Sequence, residues 1–160
     1  MASVARAIFV GVPPARLYEA YTDLSSWLEW VLHFRELTPL DDGELALGSK
    51  ARIRTAYSLV PTILAVTEVD AGRSFAWTST TLPGLGMTVD HVAEAEAGGT
   101  RATLRVDISG PVGLVAAPVA GRLSRLTFDR SLAALKRLLE SEVSPAMEVR
   151  RSPDASLRSE

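Results

Sequence analysis

Hydrophobic and polar positions change period twice along the chain. Ser3 to Val12 is apolar and β-branched enough for a first strand, and Pro13-Pro14 stops it. Proline suits the first turn of a helix, and Ala15 to Tyr21 reads as one, with Leu17, Tyr18 and Tyr21 on one side. Asp23 is an N-cap for a second short helix, Leu24 to Trp30. From Lys50 the period is two. Ala51, Ile53, Thr55 and Tyr57 alternate with Lys50, Arg52 and Arg54, which predicts a strand with one wet face. Pro61 opens another strand, in which Ile63, Ala65, Thr67 and Val69 alternate with Thr62, Leu64, Val66 and Glu68. Asp70-Ala71-Gly72 is a turn, and Arg73 to Leu82 is a strand closed by Pro83-Gly84. Met87 to Ala97 and Thr100 to Ser109 flank Gly98-Gly99, a strong hairpin signal. In the last strand Ala102, Leu104, Val106 and Ile108 share a face. The period is helical from Pro118 to about Glu142. Leu132, Leu135 and Leu139 form one side, continued by Val119, Leu123 and Leu126, and Ser144-Pro145 ends it.

The order is one strand, two short helices, a run of strands and one long helix. This predicts an α+β fold, a curved antiparallel sheet of about seven strands wrapped around a long C-terminal helix. Residues 1–142 form the domain, and 143–160, rich in Arg, Ser and Glu, a disordered tail. Only the long helix is large enough to cover the apolar face of the sheet. One helix on a wide curved sheet leaves space beside it, which predicts a cavity lined by Leu104, Val106, Val119 and Leu123.

Composition narrows the function classes. The 160 residues are 47% hydrophobic and 22% charged, with a net charge of −2, so nothing favours general attraction to nucleic acid or anionic lipid. Cysteine is absent, which excludes disulfides, thiolate nucleophiles and zinc–thiolate sites. No leader-like N-terminus is evident, and the longest weakly polar run, Pro111 to Gly121, is far short of the roughly 20 residues of a membrane span. A cytoplasmic protein, monomer or dimer, is expected.

Several motifs, in their order and spacing, resemble the START-like helix-grip (SRPBCC) superfamily. They are Val12-Pro13-Pro14-Ala15-Arg16-Leu17-Tyr18 followed by Asp23, Trp27 and Trp30, then Leu47-Gly48-Ser49, Phe75-Ala76-Trp77 and Gly98-Gly99-Thr100. The resemblance spans about residues 3 to 142 and is nearest to the polyketide cyclase/dehydrase and lipid-transport group. It implies a hydrophobic, polyketide- or lipid-like ligand held between sheet and helix, either carried or, as in aromatase/cyclases, folded and dehydrated. Where the aromatase/cyclase pattern has an inward arginine, a tyrosine and a polar helix residue, this chain has Thr67, Phe34 and Leu123, each less reactive.

His91 is the sharpest chemical candidate. It shares parity with Met87, Val89, Ala93 and Ala95, while Asp90, Glu94 and Glu96 face the other way. It is either a structural histidine or, in an enzyme, a general acid/base working near its ordinary pKa of about 6.5. Tyr57, Thr67 and Ser79 are expected to face inward and orient ligand oxygens. Trp30, Phe34 and Trp77 are candidates to stack on a flat ligand, with Trp27 a core residue first. No Gly-x-Ser-x-Gly elbow or dinucleotide glycine loop occurs. His33 and His91 are too far apart in sequence to argue a metal site, so neither metal nor cofactor is expected. Arg122, Arg125, Arg130, Lys136 and Arg137 are interrupted by Asp129 and Glu140, which reads as a solvated helix face rather than a nucleic-acid surface. No large exposed apolar patch is expected.

Overall fold

A computed structural model describes residues 2–58 and 60–151. Strand β1 (Ala2–Val10) is followed by helix α1 (Pro14–Thr22), a 3-10 turn (Leu24–Ser26) and helix α2 (Trp27–Trp30). Strands β2 (Phe34–Pro39), β3 (Lys50–Thr55), β4 (Thr62–Asp70), β5 (Ser74–Leu82), β6 (Leu85–Glu96) and β7 (Gly99–Ser109) then lead into helix α3 (Pro111–Arg151). The seven strands form one antiparallel sheet in the order β1-β7-β6-β5-β4-β3-β2. The helix-grip architecture is therefore as the sequence predicts. Asp23 accepts from the Ser25 amide, as an N-cap should.

Four local features differ from the sequence reading. Strand β2 occupies a stretch in which no strand pattern is legible. Helix α3 begins at Pro111 rather than Pro118, so Pro111 takes the first-turn position and Pro118 lies inside the helix. Pro145 does not end it either: the helical span continues to Arg151, while the remainder of the expected tail, 152–160, lies outside the described residues. In β4 the facing is the reverse of that expected. Leu64 and Val66 are buried, whereas Ile63 and Thr67 are exposed.

The core has two zones along α3. Phe128, Leu132, Leu135 and Leu139 pack tightly between helix and sheet. Towards the N-terminus of α3 the buried face carries Gly121, Ser124, Thr127 and Ser131 instead. Small side chains cannot span the gap that leucines close further on. The outer side of the same half is more apolar than expected, with Val112, Leu114, Val115 and Val119 exposed.

The start of α3 is tied to the sheet through the β5–β6 hairpin. The Gly84 carbonyl accepts from the amides of Val112 (3.0 Å) and Gly113 (3.3 Å), two of the donors that a helix N-terminus leaves unpaired. Gly110 makes this approach possible. Its φ is +86°, and a Cβ there would sit 2.3 Å from the Gly84 oxygen. Gly110→Ala is expected to cost about 2–3 kcal/mol or more, combining left-handed strain with that collision. Gly43 has φ +93° but open space around it, so Gly43→Ala bears the strain alone. Calorimetry should show the larger drop in Tm for Gly110→Ala; equal drops would mean that the hairpin–helix approach is not tight.

Candidate ligand cavity

The inward rows of the sheet are set by register. Phe75 pairs with His91 and His91 with Leu104; Trp77 pairs with Val89 and Val89 with Val106; Ser79 pairs with Met87 and Met87 with Ile108. Over these rows lies the small-residue half of α3. Two adjoining hollows result. The outer one, about 290 Å³, is bounded by the β3–β4 connection, the end of the β5–β6 hairpin and α3 at Ala120, Leu123 and Ser124. The inner one, about 70 Å³, reaches His91, Trp27 and Trp30. They share His33, Phe34, Trp77, Met87, Ser124 and Thr127. No Asp, Glu, Lys or Arg lines either.

A broader depression of about 760 Å³ lies between α1 and the segment before β3, but it carries Glu19, Asp23, Asp41 and Glu44. Its carboxylates suit it poorly to an apolar guest.

His91 sits at the inner end, 3% exposed. Its ring stacks on Phe75 at 4.5 Å and 14° and on Trp27 at 5.5 Å and 18°, and meets the Tyr21 edge at 5.2 Å. Tyr21 donates to the Val92 carbonyl, and the Trp27 indole donates to the Tyr21 carbonyl at 2.9 Å, so this aromatic wall is held by hydrogen bonds as well as packing. Loss of hydration pushes the His91 pKa down to about 3; the Val89 backbone pulls the other way without completing a bond to Nδ1. The imidazole is therefore neutral near pH 7, not poised at its ordinary value. His33, at the junction of the hollows, is lowered to about 4 by burial and by Arg35.

The structure gathers most of the sequence candidates. Trp30, Val89, His91 and Leu104 line the inner hollow, Ser79 and Leu123 the outer, and Phe34 and Trp77 both. Val106 is buried in the adjacent core and lines neither. Tyr57 is not on a strand: β3 ends at Thr55, and Tyr57 stands on the following turn, 55% exposed, at the rim beside His33. Two candidates are displaced. Thr67 lies on the outer face of β4, its hydroxyl 3.5 Å from that of Thr78, because Leu64 and Val66 take the inward positions. Val119 is 75% exposed, because the inward stripe runs back from Leu135 through Ser131, Thr127 and Ser124 to Ala120, and the helical turn carries Val119 to the opposite side. Residues not singled out for the cavity also line it: His33, Met87, Ser124, Thr127 and Ser131. The signal for the last three is present in the sequence, a run of small hydroxyl residues at helical spacing in line with Leu135.

With this geometry in view, comparison with known proteins becomes specific. The sequence model described as "Polyketide cyclase / dehydrase and lipid transport" matches residues 1–140. The chain belongs to that family. No curated protein sequence matches it. Among solved structures, TTHA0849 from Thermus thermophilus superposes with a TM-score of 0.70 at 17% identity, covering 88% of this chain and 99% of that one. The di-domain ARO/CYC StfQ from the steffimycin biosynthetic pathway gives 0.72 at 15%, covering 89% and 52%. DynU16, from the dynemicin biosynthetic locus, gives 0.60 at 22%, covering 88% and 48%. At these identities the likeness establishes the fold alone. Among the described residues, no helix of this family member is long and apolar enough to cross a membrane, and no group of three or more His, Asp or Glu could hold a metal ion.

Proposed function

We propose that the protein binds a hydrophobic small molecule, polyketide- or lipid-like, between the sheet and the first half of α3. One observation carries this reading: a cavity of about 290 Å³ with an inner extension, walled by aromatic, aliphatic and hydroxyl side chains and by no full charge. Apolar enclosure with a few polar groups is what small-molecule sites share. Cyclisation or dehydration of the bound ligand, with His91 as general acid/base, is the second reading. The position of His91 at the cavity's end favours it. The desolvation that keeps the ring neutral favours binding, because a general acid needs its proton near working pH.

The test is native mass spectrometry of the freshly purified protein, with titration by N-phenyl-1-naphthylamine, an uncharged fluorescent probe. An apolar adduct or saturable probe uptake is expected, and Ser124→Leu should abolish either by filling the shared wall at a folding cost of about 1–3 kcal/mol. A protein that carries no adduct and takes up no probe would refute the reading.

A further inference from the structure

The inner hollow is apolar in outline but holds an unusual set of polar atoms. Among the described residues, five buried side-chain nitrogen or oxygen atoms have no hydrogen-bond partner: Trp30 Nε1, His33 Nδ1, Trp77 Nε1, His91 Nδ1 and Ser131 Oγ. All five belong to residues that line this one hollow. Buried polar groups are nearly always paired, and leaving one unpaired costs about 1–3 kcal/mol. Five such atoms on residues that line a single space of about 70 Å³ set that space apart from the rest of the core.

Their chemistry says which partner. The two indole nitrogens can only donate. The serine hydroxyl can donate or accept. The two imidazoles are neutral, so each offers one donor and one acceptor, and the hollow presents fixed donors, adaptable groups and no full charge. Trp27, the third tryptophan, already donates to Tyr21 and is not available.

We infer that the inner hollow takes the uncharged, oxygen-bearing end of the ligand, a ketone or similar carbonyl, while the apolar body fills the outer hollow. This rests on the binding reading above and adds the class of ligand to it. A carbonyl oxygen has two lone pairs for the indole donors. A carboxylate would leave water with no cation to meet it, and a pure hydrocarbon would leave the donors unpaired.

Three probes of one skeleton separate these cases: 2-acetylnaphthalene, 2-isopropylnaphthalene and 2-naphthoate. Affinities come from calorimetry, and the indole N–H signals from NMR of nitrogen-15-labelled protein. The ketone is expected to bind about tenfold or more tighter than either of the others. It should move the Trp30 and Trp77 indole protons downfield relative to the hydrocarbon complex and leave that of Trp27 in place. Trp77→Phe, which alters the wall for every probe, should lower the ratio of ketone to hydrocarbon affinity measured within that variant; if that variant does not fold, the probe series on the unaltered protein decides alone. Equal affinity of ketone and hydrocarbon, as expected if ordered water serves the five atoms, would overturn the inference and leave the binding reading standing. So would preference for the naphthoate. Failure of all three probes to bind would remove the binding reading and this inference together.

Discussion

Replacing Trp27 by alanine is expected to remove about 3–5 kcal/mol of stability, a large part of what a domain of this size possesses. Trp27 is 1% exposed and touches Trp30, Phe34, Phe75 and His91. Removal of the indole opens a void under two strands and frees the Tyr21 carbonyl from its donor. Trp27→Phe retains much of the contact and loses the hydrogen bond, worth about 1 kcal/mol, plus a smaller void. Urea unfolding followed by far-ultraviolet circular dichroism distinguishes them. A Trp27→Ala protein within about 1 kcal/mol of the parent would show that the aromatic wall is loosely packed.

Acid should weaken the fold well above the range in which ordinary carboxylates protonate. In the unfolded chain His91 and His33 titrate at about 6.5; in the fold they are lowered to about 3 and about 4. Between those limits the unfolded state binds protons that the native state refuses. Stability is therefore fully present above about pH 6.5 and falls as the pH drops, by about 1.4 kcal/mol per pH unit for each histidine. Asp90, raised by burial and by Asp107, works in the opposite sense. His91→Gln, which cannot titrate, should flatten roughly half of the slope between about pH 6.5 and pH 5. Unfolding midpoints measured across that window check it, and an unchanged slope would mean that His91 is protonated inside the fold.

Both expectations rest on a wall that is partly legible in the amino-acid sequence. The parity of β6 places His91 among Val89 and Ala93 and away from Glu94, and the cross-strand pairing with Phe75 and Leu104 agrees. Such an inference works where one face of a strand is clearly wet. In β4 it fails, because Ile63 and Ala65 on one parity and Leu64 and Val66 on the other are all apolar. The pattern has no polar face to fix the choice, and an irregularity between Val66 and Glu68 breaks the alternation again. The helix start is ambiguous for a related reason: Pro111 and Pro118 both fit a first turn, and only the contact of Gly84 with Val112 and Gly113 selects the earlier one. Val119 faces solvent for a different reason: at helical spacing it lies opposite the stripe of Leu135, Ser131, Thr127 and Ser124. The cavity itself is legible as leftover space. Its polar interior is not, since unpaired donors exist only relative to neighbours that distant parts of the chain supply.

The pairing of the first strand with the last has a consequence for how the molecule is made. Ala2 to Val10 bonds along β7 from Ile108 to Thr100, so β1 is made well before the strand it pairs with. Until β7 leaves the ribosome, β1 has no neighbour in the sheet, and α3 follows later still. Throughout that interval the apolar concave face lies bare, without the helix that covers it. Contacts so distant in sequence close slowly, on a scale of about milliseconds to seconds, and nascent chains with such a face are the ones that chaperones attend. The hollow that equips the finished protein to hold an apolar guest is, during synthesis, the surface on which it is most exposed to unwanted company.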